Sequence, residues 1–223
     1  MLTQRFIFSI ALMISSLVCA ADDTEKISLS ELASQADLVA VAQVVDTDYI
    51  YTRSFPSEGT AILKVLISYK ANRAGEEFIE VYEKGLHPNE CYFENPEFFL
   101  EGRRYLVFFS IDPVDPELYR GLPQGCALEI LVTEDSAYAL KYPVEGIQLE
   151  EQFESLATEY RFNDQHALVA EESLSPANRD GLLEREFIVP YEDRFKYTHG
   201  VDLTTVRKLI GADALKPKPQ FKP

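Results

Sequence analysis

Apolar runs alternate along the chain with polar stretches that contain Gly, Pro or Asp, and most of the runs have the length of a β-strand. Residues 38–45 form an almost continuous apolar run of eight without Gly or Pro, which predicts a buried strand. The runs at 126–133 and 137–142 are separated by a short polar turn, so we expect them to form a hairpin. Further strands are predicted at 60–69, 78–82 and 105–109.

Capping signals predict two short helices. Ser28 and Glu31 have the spacing of a capping box, and apolar residues at helical spacing follow directly. Asp202 can cap a final helix at 203–210, which Gly211 would stop.

The other segments carry weaker patterns. Pro56 and Gly59 predict a loop at 46–59. The pattern at 149–160 predicts a modest helix, whereas the polar and acidic stretch 161–197 is predicted to be irregular. Short elements are expected within that stretch at 167–170 and 187–189, and an extended, disordered end at 216–219.

The first twenty residues have the parts of a cleavable signal peptide. Arg5 supplies the positive charge, residues 6–14 form a short apolar core, and Ala20 ends the small-residue segment where cleavage is expected. The apolar core is short for a membrane-spanning helix and no stop-transfer segment follows, although an N-terminal anchor is the alternative. We therefore expect a secreted or periplasmic protein without stable membrane insertion after cleavage.

Cleavage would leave two of the three cysteines. Cys19 would be lost with the leader; a lipidated Cys19 is the alternative, which the bulky Val18 before it disfavours. Cys91 and Cys126 would remain, and exported cysteines commonly pair. The bridge would close a loop of about 36 residues and add roughly 3–4 kcal/mol of stability. Two separate buried thiols are the alternative.

The chain is strongly acidic. It has 21 Lys and Arg against 37 Asp and Glu, a formal charge of −16, which becomes −17 without Arg5. An anionic surface repels phosphate backbones and anionic lipids, so nucleic acid is not an expected partner. The charge serves solubility or, alternatively, forms a face for a basic partner or for cations. Twelve Tyr and fourteen Phe without Trp fit a β-rich core.

Two segments resemble the netrin-like domain, the OB-type barrel of tissue inhibitors of metalloproteinases and their bacterial relatives. Residues 36–44 resemble the "A-D-x-V-x-x-G-x-V" opening of that domain, and residues 101–108 resemble its "x-G-x-x-Y-L-V-F" strand. The strand at 61–65 lies in the place of its "A-x-F-x-V". Cys91 and Cys126 match in order the cysteines that flank the second motif.

The resemblance, which covers about residues 28–140, implies a fold class. We expect a mainly β protein with a small closed or partly open OB-like barrel of five to six strands, flanking short helices and a mixed C-terminal extension. The expected domains are a signal peptide at 1–20, a β-barrel domain at 21–147, and a helical or irregular extension at 148–223 that packs on the barrel and ends in disorder.

The expected mature N-terminus departs from the inhibitor pattern. Animal inhibitors of this family bind the catalytic zinc of their target through an N-terminal Cys, whereas cleavage here exposes Ala21, Asp22 and Asp23. The resemblance therefore implies the barrel and not this mode of inhibition.

No catalytic or metal-binding constellation is evident in the sequence. The three histidines, His87, His166 and His199, lack the spacing of a metal site, and no nucleophile elbow, phosphate loop or dinucleotide fingerprint is present. The acidic pairs at 150–151 and 171–172 are typical of solvated surface. We therefore predict no cofactor and no bound metal.

Aromatic residues in the predicted loops are the candidate binding residues. Tyr49, Tyr51, Tyr92 and Phe93 form the candidate binding loop, with Phe98 and Phe99 nearby. Core packing is the alternative role of these side chains. We expect a non-enzymatic binding protein that contacts an envelope or extracellular protein. The alternatives are a protease-inhibitor-like module and a hydrolytic enzyme with a site assembled from scattered residues.

Overall fold

The first five strands close into a barrel in this computed structural model. The structure describes residues 26–52, 55–73, 75–84 and 99–213, apart from the side chains at 52, 55–57, 83 and 84. The twelve strands are β1 Leu38–Thr52, β2 Phe55–Ala71, β3 Phe78–Lys84, β4 Arg104–Ile111, β5 Tyr119–Gly121, β6 Ala127–Val132, β7 Tyr138–Tyr142, β8 Thr158–Glu159, β9 Leu168–Ala170, β10 Ile188–Tyr191, β11 Arg194–Tyr197 and β12 His199–Asp202. The helices are α1 Leu29–Gln35, α2 Pro176–Glu184 and α3 Leu203–Leu209, and single 3-10 turns lie at Phe153–Ser155, Gln165–Ala167 and Glu171–Ser173.

The barrel closes because β1 pairs on both of its edges. It pairs with β2 on one side and with β4 on the other, where Leu38 lies opposite Phe109. The strand order around the barrel is β1-β2-β3-β5-β4 and back to β1, with a single parallel contact between Val81 of β3 and Tyr119 of β5. The prediction of a mainly β protein with a closed barrel and flanking short helices is confirmed, and the barrel is consistent with an OB-like fold.

The apolar run in β1 is nearly continuous because both faces of the strand are buried. Leu38 and Ala40 point into the barrel, whereas Val39 and Val41 face a second apolar layer beneath α1. Ser28 caps α1 by accepting a hydrogen bond from the Glu31 backbone N–H at 3.2 Å, as the capping box predicts.

The C-terminal extension joins the barrel through its sheet. The predicted hairpin forms as β6 and β7, and β12 then pairs with the outer edge of β7, where His199 lies opposite Tyr142. A second sheet, in the order β10-β11-β9, packs on this part through its own apolar core. Asp202 caps α3 as predicted, since its carboxylate accepts from the Thr205 N–H at 2.9 Å.

The loop predicted at 46–59 is wrong. This segment continues β1 and begins β2, and the two strands form one long antiparallel hairpin. Val45 is an extra residue between the Val44–Leu63 and Asp46–Ile62 pairs, and this bulge keeps Tyr49 packed against the barrel interior. Pro56 and Gly59, which suggested a loop, lie within β2 opposite Tyr51 and Tyr49.

The helix predicted at 149–160 is also wrong. The structure has the 3-10 turn Phe153–Ser155 there, followed by β8. The backbone N–H groups of this segment are used in tertiary pairing instead, because Glu150 donates to the Ile27 carbonyl and Tyr160 donates to the Thr198 carbonyl. Pairing with the N-terminal segment and with the C-terminal strands therefore replaces the helical ladder.

Candidate functional site

The predicted aromatic residues Tyr49 and Tyr51 lie on the outer part of β1 rather than in a loop. Their rings meet edge to face with centroids 6.3 Å apart. The Tyr49 hydroxyl donates to the Phe99 carbonyl at 3.0 Å, while Tyr51 is 61% exposed. Tyr92 and Phe93 lie outside the described residues, as does Phe98, so the candidate binding loop stays a prediction. Phe99 is buried in the barrel interior, as its core-packing alternative predicts.

The cysteine bridge likewise stays a prediction. Cys126 is completely buried in the interior of the barrel, just before β6. Cys91 lies outside the described residues.

The three strands β1, β2 and β3 present one mixed face to the outside of the barrel. Directly paired residues share a face of a sheet, so Asp46, Ile62 and Glu80 form one outward row. Their sequence neighbours Ala61 and Val81 point into the barrel core. We call this surface the acidic–apolar face; it consists of Asp46, Asp48, Ile50, Glu58, Thr60, Ile62, Lys64, Phe78, Glu80 and Tyr82.

Large apolar side chains on this face are open to solvent. Ile50 is 58% exposed and Phe78 is 51% exposed. The Tyr82 hydroxyl donates to the Glu58 carboxylate at 2.8 Å, and this hydrogen bond raises the pKa of Tyr82. Ile50 and Phe78 lie at opposite ends of the face, because their rows cross β2 six residues apart. Exposed apolar groups on one surface are typical of interaction sites.

The acidic–apolar face has four carboxylates and, among its described side chains, one ammonium, that of Lys64 opposite Phe78. Within the described part of the chain, no ion pair involves Asp46, Asp48 or Glu80. The nearby Lys64 ammonium lies 3.6 Å from the Glu77 carboxylate and 5.9 Å from the centre of the Phe78 ring. The face therefore combines negative charge with exposed hydrocarbon.

A buried ion cluster lies elsewhere, where the barrel meets the C-terminal extension. The Lys141 ammonium is 2.8 Å from the Glu129 carboxylate and 3.0 Å from that of Glu145, and it lies 4.7 Å from the centre of the Tyr197 ring. The Arg103 guanidinium is 3.4 Å from the other Glu129 oxygen. This cluster joins β6, β7 and β11.

Electrostatics hold Lys141 in its charged form. Burial lowers the pKa of the ammonium, but the Glu129 carboxylate, Tyr197 and the Glu145 carboxylate outweigh burial and raise the pKa above its ordinary value. Because opposite charges surround this ammonium, the cluster has the character of a structural contact rather than of a catalytic acid or base.

The two described histidines, His166 and His199, do not lie in a metal-binding cluster of described residues. Burial lowers the pKa of His166, and His199 shares a 2.8 Å hydrogen bond with the Thr198 hydroxyl. His87 lies outside the described residues. Across residues 26–52, 55–73, 75–84 and 99–213, no group of three or more His, Cys, Asp or Glu side chains is placed to hold a metal ion.

In comparisons with known proteins, no family model, curated protein or solved structure matches the chain. In the same ranges, no helix is both long and apolar enough to cross a membrane.

Sequence reasoning missed most of the acidic–apolar face. The sequence analysis gives Ile50, Phe78 and Glu80 no binding role. Residues 46–51 nevertheless alternate: positions 46, 48 and 50 are Asp, Asp and Ile, and positions 47, 49 and 51 are Thr, Tyr and Tyr. That period of two is the signal of a half-exposed strand, and it would have placed Asp46, Asp48 and Ile50 on one side.

Proposed function

We propose that the protein is an exported, non-enzymatic binding module that holds a basic envelope or extracellular protein on its acidic–apolar face. The exposed Ile50 and Phe78 side chains, on the same face as four carboxylates and one described ammonium, are the observation that carries this proposal. Apolar surface favours association, and the carboxylates select the sign of the partner's charge.

The position of this face within the barrel supports binding. OB-type barrels commonly use the surface of their second and third strands for ligands. Here those strands supply Glu58, Phe78 and Glu80, so a nucleic acid is repelled and a Lys- or Arg-bearing segment is attracted. A peptide with alternating basic and aromatic side chains has the complementary chemistry.

Neutralising the face should weaken binding of such a peptide. With a capped peptide of alternating Lys and Phe as the probe, we expect the triple variant Asp46→Asn, Asp48→Asn, Glu80→Gln to raise the Kd about tenfold at low salt. Each exposed charge contributes a few tenths of a kcal/mol, and three together approach about 1.4 kcal/mol. Isothermal titration calorimetry measures the change.

The matched control removes three other exposed carboxylates, by Asp135→Asn, Glu172→Gln and Glu184→Gln. It should leave the Kd within about twofold, because none of these groups lies on the strands β1, β2 and β3 that form the face. An equal loss in both variants, or equal binding of a peptide of alternating Glu and Phe, would contradict the proposal.

We propose in addition that residues 1–20 are removed on export and that Cys91 and Cys126 are bridged. Intact-mass measurement of the exported protein should show Ala21 at the N-terminus and a gain of two hydrogen atoms on reduction. Alkylation of Cys91 and Cys126 without reductant would contradict the bridge, and a retained leader would contradict cleavage.

A netrin-like relationship remains part of this proposal. The closed barrel and the motifs at 36–44 and 101–108 support it. Zinc-directed inhibition would depend on the N-terminus, which lies outside the described residues, so the inhibitor-like alternative stays a prediction.

A further inference from the structure

Residues 214–223 are basic in a chain that is otherwise strongly acidic. They contain Lys216, Lys218 and Lys222 and no Asp or Glu, whereas the whole chain has 37 acidic residues against 21 basic ones. Phe221 adds an aromatic ring beside the last lysine. We call residues 214–223 the basic segment; they lie outside the described residues. Lysines together with an aromatic ring are the chemistry expected of a partner of the acidic–apolar face.

The last described residues lie beside the outer side of β2. Asp213 forms an ion pair with Arg207 of α3 at 2.7 Å. Burial raises the pKa of Tyr69 in β2, and the Arg207 guanidinium opposes this rise, so α3 lies close to Tyr69. Tyr69 and Val206 of α3 also pack on the same apolar layer outside the barrel. The basic segment therefore begins near Tyr69.

The acidic–apolar face lies farther along β2 on the same side of the sheet. Ile62 and Lys64 point away from the barrel as Tyr69 does, whereas Leu63 points into it. Ile62 is seven residues from Tyr69, which is about 23 Å along a strand. Seven residues of extended chain beyond Asp213 cover about the same distance. An extended basic segment is therefore long enough to reach the middle of the face.

The middle of the face has accessible acceptors for lysine. Asp46, Ile62 and Glu80 form one row across three strands, and both carboxylates are exposed. Neither carboxylate has an ion pair among the described residues. Phe78, two residues before Glu80, is 51% exposed and available for apolar contact. The row therefore matches a segment that carries ammonium groups and a ring.

We propose that the basic segment binds the acidic–apolar face of its own chain and competes there with the basic partner; the competition rests on the function proposed for this face. Extended chain reaches the row near position 220, which lies between Lys218 and Lys222. Their ammonium groups can then pair with Asp46 and Glu80. The prolines of the segment favour an extended backbone, so docking costs less conformational entropy. A short tether gives the segment an effective concentration of about 1 mM at the face.

The first test needs no partner. NMR spectra of the full chain are compared with those of the triple variant Lys216→Gln, Lys218→Gln, Lys222→Gln, which we call the neutral-segment variant. The amide signals of Asp46, Phe78 and Glu80 should move, because the segment leaves the face, whereas those of β6 and β7 should not. Face signals that coincide in the two proteins would overturn the proposal.

A matched control removes the same charge from elsewhere. Lys26→Gln, Arg194→Gln and Lys208→Gln change three exposed residues of the described chain, none of which lies on β1, β2 or β3. Together they should leave the face signals in place. Equal movement of the face signals in the control would assign the effect to net charge and overturn the docking.

The second test measures competition by isothermal titration calorimetry with the capped peptide of alternating Lys and Phe. The neutral-segment variant should bind the peptide at least about fivefold more tightly at low salt, because its face is vacant in a larger fraction of molecules. The control variant should stay within about twofold of the unmodified protein. Equal Kd values in the neutral-segment variant and the unmodified protein would overturn the competition.

Failure of this proposal is distinguishable from failure of the proposed function. If the peptide binds none of the proteins but the face signals move in the neutral-segment variant, the basic partner is refuted and the docked segment stands. If the peptide binds and the face signals do not move, the reverse holds. Sedimentation velocity decides between one chain and two, because a dimer that the neutral-segment variant abolishes would overturn docking within one chain.

Discussion

Replacing Lys141 with Met should lower the free energy of unfolding by about 1.5–3 kcal/mol, because the buried Glu129 carboxylate loses one of its two cationic partners and keeps only the Arg103 guanidinium. The Lys141 side chain is buried, and its ammonium lies 2.8 Å from the Glu129 carboxylate, which is itself largely buried. Methionine fills a similar volume, so lost charge rather than a cavity would cause the change. Urea unfolding followed by far-UV circular dichroism measures it.

Two controls separate the buried ion pair from a general effect of losing a lysine. Lys208→Met, at an exposed position of α3, should change stability by less than about 0.5 kcal/mol. Adding Glu129→Gln to Lys141→Met should restore part of the loss, since a neutral amide beside the methionine costs less to bury than a carboxylate that keeps one of its two cationic partners. A loss of less than about 1 kcal/mol in Lys141→Met would show that solvent reaches this cluster.

The barrel strands could be predicted from sequence because a strand that is buried on both faces has a continuous run of apolar residues. Residues 38–42 and 105–109 are apolar throughout, since one half of their side chains fills the barrel and the other half faces the second layer. The two capped helices were predictable for a different reason. A cap at Ser28 or Asp202 is a hydrogen bond between a side chain and the backbone three residues later, so the residues needed for it are close together in the sequence.

The elements that were missed depend on distant partners. α2 has the cap signal of Ser175 followed by Pro176, but it buries none of its side chains, so no apolar period marks it. β5 has three residues and exists because β3 and β4 lie on either side of it. The residues of so short a segment do not by themselves predict which distant strands it pairs with.

The candidate sites were hidden by the same dependence on distant partners. The segment 149–160 was predicted to be helical, but it pairs with Ile27 and with the C-terminal strands instead. The buried ion cluster did have a sequence signal, because Glu129 and Lys141 fall within runs predicted to be strands. Charged residues in such runs need partners, but the sequence does not say which strand supplies them.

Stability should fall steeply as the pH rises from 10 toward 12, by up to about 1.4 kcal/mol per pH unit for each buried tyrosine involved. Burial, assisted by the nearby Glu129 carboxylate, raises the pKa of Tyr105 above its ordinary value of 10.0. Burial and the hydrogen bond to Glu76 raise the pKa of Tyr119 in the same direction. Urea midpoints measured at successive pH values follow the change.

The sign follows from counting protons. Below pH 10 both the folded and the unfolded chain keep the Tyr105 proton, so this group contributes no pH dependence there. Above pH 10 the unfolded chain releases the proton while the folded chain keeps it, so each further rise in pH favours unfolding. Lys141 acts with the same sign from its ordinary value of 10.5 upward, since its folded-state pKa is also raised.

Tyr105→Phe tests this origin of the alkaline loss. The variant removes the hydroxyl that titrates in the unfolded chain, so its stability should decline less steeply above pH 10 than that of the unmodified protein. Tyr51→Phe is the matched control, because Tyr51 is exposed on the outer part of β1, and its slope should equal that of the unmodified protein. Each variant removes one tyrosine hydroxyl, so equal slopes in both would show that the alkaline loss of stability does not come from Tyr105. The Lys141 cluster would then be the next group to test.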